Sequence, residues 1–257
     1  MIFEFSGTGN SYVIARRMAD ELGLGLTDIS KHVRNRNWVF DAAGEDVGFV
    51  FPVYFWGLPA HVREFAENVQ VRNAGRVWCV ADCAGESGVA CRMLAEKLSG
   101  RLQVDAMYDI LMPENAVFYE SAPDKEEAQT ILEAADRSLG DIIASVRAGE
   151  SGDFTKYGCE EGAEEMYAQY DLARHTEAFS IGPDCVECRI CEEVCPSKAI
   201  RVYHRKPVWD EEMCNLCMGC LNMCPKKTIQ FGEETVGRNR YYHKEFHKKV
   251  LGIPLRF

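Results

Sequence analysis

Short apolar runs alternate with amphipathic stretches along the first two thirds of the chain. Ile2 to Phe5 is an apolar run of strand character, and Ser11 to Gly23 carries Val13, Ile14, Met18 and Leu22 at helical spacing before ending on glycine. The pairing recurs. Asp46 to Pro59 reads as a buried strand running into an aromatic loop, with Leu58 to Val69 as the next helix. Arg76 to Gly85 is a third strand and Gly88 to Gly100 its helix, while Leu102 to Pro113 is a fourth strand. A long stripe of Ala128, Ile131, Leu132, Ala135, Leu139, Ile142, Ile143 and Val146 then predicts an amphipathic helix, with Ser121 and Pro123 at its start. Thr27 to Ser30 is expected to be a short strand. Such alternation predicts an α/β fold, a parallel sheet with helices on both faces, whose ligands sit beyond the carboxyl ends of the strands.

The loop between the first strand and the first helix reads Ser6, Gly7, Thr8, Gly9, Asn10, Ser11. Free N–H groups and the helix dipole at such a place favour a phosphate. A nucleoside triphosphatase loop needs a lysine after its last glycine, and none is present. A dinucleotide fingerprint needs a third glycine where Tyr12 stands. What remains is one terminal phosphate monoester, held by the hydroxyls of Ser6, Thr8 and Ser11, by Asn10 and by loop N–H groups; a polar turn without a ligand is the plain alternative. The loop resembles the phosphate loop of flavodoxins, in which Ser or Thr, any residue and Thr-Gly-Asn-Ser/Thr follow the first strand.

That resemblance extends over Met1 to about Gly149 and implies FMN on a flavodoxin-like doubly wound sheet. It also implies that the next two strand-end loops hold the flavin ring. The first of these is Pro52, Val53, Tyr54, Phe55, Trp56 and Gly57, whose aromatic planes offer a stacking face. The second runs from Asp82 to Gly88, where Cys83, Ala84, Gly85 and Gly88 leave room for a close backbone approach. Flavodoxins often carry aromatic residues in that second loop, and this chain does not. Glu114 to Tyr119 follows the fourth strand without a pattern that selects a role.

Composition changes the picture through charge and sulfur. With 257 residues, 47% of them hydrophobic, the chain can bury a sizeable core, and its net charge of -11 disfavours nucleic acid and anionic membranes as partners. The longest uncharged run, Val47 to Ala60, is too short for a membrane span and contains Pro52, Gly57 and Pro59. Met1 leads into the first strand without a basic region or cleavage site, so the expected compartment is the cytoplasm. Of 12 cysteines, eight lie between Cys185 and Cys224, which points to metal rather than disulfides. Cys79, Cys83, Cys91 and Cys159 are scattered and are given no metal role.

The segments starting at Cys185 and Cys214 align without a gap at an offset of 29, matching four cysteines, a proline, a lysine and an isoleucine. Each carries the run C-x-x-C-x-x-C-x-x-x-C-P, and such a repeat implies two related half-structures around two equivalent sites. The spacing is that of bacterial ferredoxins with two 4Fe-4S clusters, a small α+β fold in which the fourth cysteine of one run completes the other cluster. By this resemblance Cys185, Cys188, Cys191 and Cys224 hold one cluster, and Cys214, Cys217, Cys220 and Cys195 the second. Soft thiolates suit iron-sulfur chemistry. A four-thiolate zinc site, the alternative, requires neither a third evenly spaced cysteine nor the trailing Pro196 and Pro225. The halves are joined by two short strands round a polar turn, Tyr203 to Lys206.

From Ile181 onward there are 13 Lys and Arg against 10 Asp and Glu, whereas residues 1–180 carry 16 against 30. The cationic excess, with Lys198 and Lys227 at matching places, would offset much of the roughly -2 of each oxidised cluster, unless these are ordinary surface lysines. Ser151 to Ser180 is acidic at first and helical in its spacing of Met166, Tyr170, Leu172 and Phe179, a solvated helical connector. The tail is expected to dock a short helix through Tyr242, Phe246 and Leu251, and the six histidines are read as structural. The expected organisation is a flavodoxin-like FMN domain over 1–150, a helical segment over 151–180, a two-cluster domain over 181–232 and a tail over 233–257. Such fusions form a family of electron-transfer proteins, which implies single-electron relay between the clusters and FMN for an external redox protein. A flavin-dependent reductase of a small-molecule acceptor, fed by its own clusters, is the alternative. No catalytic residue is assigned.

Overall fold

A computed structural model describes residues 1–204, 206–210 and 214–252, and the chain divides into two compact units. The first comprises Met1–Ser6, Ser11–Met112 and Thr130–Tyr170; the second comprises Gly7–Asn10, Pro113–Gln129 and the chain from Asp171 onward.

Along the chain the first elements are β1 (Ile2–Glu4), α1 (Asn10–Leu22), β2 (Leu26–Asp28), α2 (Ile29–Asn35), β3 (Val39–Asp41), β4 (Val47–Pro52), α3 (Ala60–Asn68) and β5 (Gln70–Arg72). They continue with β6 (Val77–Cys83), α4 (Ala90–Leu98), β7 (Ala106–Leu111), α5 (Lys125–Ala148), β8 (Gly152–Asp153) and α6 (Ala163–Ala173). Six strands form one sheet in the order β2-β1-β4-β6-β7-β8, and every pairing is parallel. All residues of β4 and β6 are buried, as a sheet covered on both faces requires. Alternation sorts the side chains by face. Ile2, Val50, Trp78, Val80 and Tyr108 pack with Ile14 and Met18 of α1 and with Leu139 and Ile143 of α5. On the other face Phe3 meets Phe49 and Phe65 at ring separations of 5.4 and 4.9 Å. Gly48 is needed because a side chain there would strike the indole of Trp78.

The helices and strands expected at Ser11, Leu58, Arg76, Gly88 and Leu102 are present, and the differences have local causes. Thr27 and Asp28 are in a strand, but Ile29 and Ser30 open α2, because the Asp28 carboxylate accepts N–H bonds from Ser30 at 2.8 Å and Lys31 at 3.4 Å. Helix α5 begins at Lys125 rather than at Ser121 or Pro123. Asp124 accepts from the N–H groups of Glu126 and Glu127, both at 2.9 Å, while Glu127 accepts from the Asp124 N–H at 3.0 Å, a reciprocal cap. The short parallel pair β3–β5 and the edge strand β8 were not expected. In the connector, α6 buries Ala163 and Tyr170 and holds Tyr167 by a 2.8 Å bond from its hydroxyl to the Leu58 carbonyl, but leaves Leu172 70% exposed, so the expected stripe is not the face that packs. Phe179 lies beyond the helix, in a strand.

The second unit holds β9 (Phe179–Ile181), α7 (Ile190–Val194), β10 (Ile200–Tyr203), β11 (Lys206–Trp209), α8 (Gly219–Asn222), β12 (Ile229–Phe231) and α9 (Lys244–Leu251). Strand β9 pairs with β12, and β10 with β11, both antiparallel; the latter is the expected hairpin, though Arg205 in its turn lies outside the described residues. Phe179 stacks on Trp209 at 5.1 Å and 9°. The internal repeat recurs in the backbone. Glu187 and Leu216, Arg189 and Met218, and Lys198 and Lys227 form three pairs at matching places, all with positive φ between 50° and 61°. Such left-handed turns are uncommon for residues with side chains and mark places where the surroundings dictate the path. In α9, Phe246 is buried as expected, but its buried companions are Tyr241 and His247, with Tyr242 and Leu251 only half-buried.

No described helix is long and apolar enough to cross a membrane.

Candidate functional site

Each cysteine run leads through a left-handed residue into a short helix, which carries the third cysteine of that run: Cys191 in α7 and Cys220 in α8. The fourth cysteine lies after the helix. The folded chain then exchanges these last members between the runs. Cys185, Cys188, Cys191 and Cys224 line one cavity together with Ile181, Pro207 and Ile229. Cys195 is among the thiols that act electrostatically on Cys214, Cys217 and Cys220.

Burial is the first cause of every resolved shift among these thiols. It pushes Cys191 up to about 12 and Cys214 up to about 11, and it raises Cys195, Cys217 and Cys220 as well. Neighbouring sulfurs add to the rise: Cys188, Cys224 and Cys185 for Cys191, and Cys195 for Cys214. Backbone N–H groups oppose it. The Leu216 N–H donates to Cys214 Sγ at 3.1 Å and the Ala199 N–H to Cys195 Sγ at 3.3 Å. Without metal these thiols stay protonated near neutral pH; metal entering them must displace the protons, after which the same N–H donors stabilise the thiolates. Among the described residues no group of three His, Cys, Asp or Glu side chains converges on a point as a single metal ion requires. Cys185, Cys188, Cys191 and Cys224 around one cavity are the kind of donor set, four soft thiols, that a cluster takes.

The two groups differ in exposure. Cys188 is exposed and Cys185 half-buried beside Val186, which is 51% exposed, whereas Cys195, Cys214 and Cys220 are all buried.

The strand-end loops fall as follows. After β4, Tyr54 and Gly57 exchange two 3.0 Å main-chain hydrogen bonds around Phe55 and Trp56, which have φ of 50° and 59°. A tight turn of this type normally carries Asn or Gly at both central positions. Here the rings justify it: Phe55 packs 5.7 Å from Tyr170 and Tyr54 lies edge-on to Phe5 at 6.2 Å. Trp56 presses on Gly88, whose missing side chain makes room for it, and its carbonyl accepts from the Val89 N–H at 3.0 Å. The loops after β4 and β6 are thus brought together. Cys83 is buried, while Ala84 and Gly85 are exposed and Gly85 has open space beside it.

In the loop after β1, Thr8, Asn10 and Ser11 are buried. The Ser11 hydroxyl donates to the Asp82 carboxylate at the end of β6. Burial pushes that carboxyl up to about 7, and the hydroxyl draws it partly back. Thr8 Oγ1 accepts from Asn115 Nδ2 at 2.7 Å, leaving its own proton free to donate. Asn10 Oδ1 is buried without a hydrogen-bond partner. That acceptor, the Thr8 proton and the absence of acidic residues in the first turn of α1 fit a ligand bearing both a phosphate and hydroxyl groups. Sequence reasoning missed Asp82, Asn115, Asn222 and His243 as partners of this loop or of one another. No local pattern marks them, since Asn115 meets Thr8 across 107 residues of chain.

Comparison with known proteins places the sulfur-rich segment. Residues 184–229 match a 4Fe-4S dicluster domain. A stretch of 46 residues is 41% identical to part of an ion-translocating oxidoreductase complex protein of Methanosarcina acetivorans, covering 18% of this chain and 17% of that protein. Another of 50 residues is 32% identical to a ferredoxin-like protein in the nif region of a Nostoc species, covering 19% of this chain and 43% of that one. The chain thus spans less than half the length of either relative. Residues 184–229 therefore carry a 4Fe-4S dicluster domain of ferredoxin type.

Proposed function

We propose that the protein is an iron-sulfur flavoprotein in which two 4Fe-4S clusters relay single electrons between an external redox partner and FMN. The observation that carries the reading is the exchange of fourth cysteines: Cys224 joins the first run and Cys195 the second. Together with the three matched left-handed pairs, it supports two equivalent cluster sites. Cys185, Cys188, Cys191 and Cys224 hold one cluster; Cys195, Cys214, Cys217 and Cys220 hold the other. The more exposed first group faces the partner.

The flavin half rests on different support. Counting only the strands of the main sheet, its order is 2-1-3-4-5 with one added edge strand, the order of flavodoxin-like folds. The loops after β1, β4 and β6 leave neighbouring strands at their carboxyl ends, where such sheets bind ligands. In this reading Thr8 donates to the phosphate, Asn10 Oδ1 accepts from a hydroxyl of the ribityl chain, and the aromatic turn at Tyr54 to Trp56 borders the ring. Bound clusters pass electrons singly, and bound FMN exchanges them singly or in pairs, so the chain converts one regime to the other.

Anaerobic purification with iron and flavin quantitation and paramagnetic resonance tests this. About eight iron atoms and about one FMN per chain are expected. Four iron atoms would remove the second cluster, and iron-replete protein that takes up no FMN on reconstitution would remove the flavin.

A further inference from the structure

The loop assigned to the flavin phosphate does not group with the strand that precedes it. Gly7–Asn10 clusters with the C-terminal unit, and each of its residues meets that unit. The Gly7 carbonyl lies so close to Gly219 that a side chain on Gly219 would sit 2.6 Å from it. The Thr8 carbonyl accepts from the His243 N–H at 2.8 Å. Gly9 has a φ of 112°, and a side chain there would come within 2.5 Å of Phe246 Cβ and 2.8 Å of His243 Cβ. Asn10 Nδ2 donates to the Pro113 carbonyl at 3.0 Å.

One hydrogen-bond chain ties the Thr8 hydroxyl to the second cysteine group. The Tyr241 N–H donates to Asn222 Oδ1 at 3.0 Å, and Asn222 Nδ2 donates to the Asn115 carbonyl at 2.9 Å. Asn115 Nδ2 then donates to Thr8 Oγ1 at 2.7 Å. Asn222 ends α8, two residues after Cys220. A helix of four residues cannot hold itself in water, so its shape depends on what its cysteine binds. Where metal ligands and fold form together, metal binding energy is folding energy.

We propose that FMN capture is conditional on the second cysteine group being loaded, because α8 fixes Asn222, Asn222 fixes Asn115, and Asn115 aims the Thr8 hydroxyl. Asn115 is a positioning residue: its N–H occupies one lone pair of the hydroxyl and directs the proton toward the ligand. The proposal rests on the flavin reading above and adds an order of assembly to it, clusters first and FMN second. By linkage, bound FMN in turn favours retention of the cluster.

The test uses the full chain, freed of flavin under anaerobic conditions and titrated with FMN by quenching of flavin fluorescence. Protein stripped of iron by a chelator is expected to bind FMN about 10- to 100-fold more weakly than cluster-loaded protein. Asn115→Ala is expected to weaken binding by about tenfold while its iron content stays at the wild-type level. Equal affinity with and without clusters would overturn the proposal and leave the flavin reading standing, and unchanged affinity in iron-replete Asn115→Ala would overturn the role of Asn115. Failure of the cluster-loaded chain to bind FMN at all would overturn the flavin reading and this proposal with it.

Discussion

In the N-terminal unit Phe3, Phe49, Phe65, Trp78 and Ile143 are each at most 1% exposed, and one ladder of six strands organises them. Among the described residues of the C-terminal unit no strand exceeds four residues, α7 and α8 have five and four, and cysteines stand at the centre of its two repeated halves. The first unit is closed by area removed from water, a non-directional force that tolerates exchange of one apolar residue for another. The second has little regular structure to close that way, and residues 184–229, which match a 4Fe-4S dicluster domain, are expected to depend on what their sulfurs bind. The difference predicts that the two respond to different insults.

Removal of iron is expected to have the largest effect. In full-length protein chelated anaerobically, amide protection over residues 184–229 should fall by about 100-fold or more, while β4 and β6 keep theirs within a few-fold. Equal loss in both, read by hydrogen exchange, would erase the distinction.

The reverse experiment is Ile143→Ala, which opens a hole between α5 and the sheet. It should destabilise the N-terminal unit by about 3 kcal/mol in urea unfolding, with iron content unchanged. A parallel loss of iron would show that the cysteine groups depend on that core.

The smallest effect concerns Asp82. Its carboxyl titrates near 7 when folded against 3.8 ordinarily, so the folded chain holds that proton more tightly than the unfolded chain does. The stability this adds is complete below about pH 4 and is lost as pH rises through 7, at no more than about 1.4 kcal/mol per pH unit. Asp82→Asn should flatten that slope in urea midpoints taken at pH 5 and pH 8; a slope identical to wild type would mean that burial is not what governs this carboxyl.

The same contrast explains what could be read from the residues alone. Elements that carry a full apolar period were legible: Val13, Ile14, Met18 and Leu22 mark α1, and the stripe from Ala128 to Val146 marks α5. Strands of two or three residues such as β3, β5 and β8 have no period to detect. Thr27 and Ile29, both β-branched, concealed a helix start that Asp28 imposes by capping it. The cysteine spacing, through its likeness to ferredoxins, pointed to a fourth sulfur lent by the other run, and Cys224 does line the cavity of Cys185, Cys188 and Cys191. The surroundings of the loop after β1 were not legible. Its partners Asn115 and His243, and Asn222 behind Asn115, are ordinary surface residue types, and only folding brings them together.

The matched halves have a consequence for cooperativity. Cys224 lines the cavity of Cys185, Cys188 and Cys191 while Cys195 acts on Cys214, so neither half has its full set of sulfur neighbours without the other, and a change that unsettles one is expected to unsettle both.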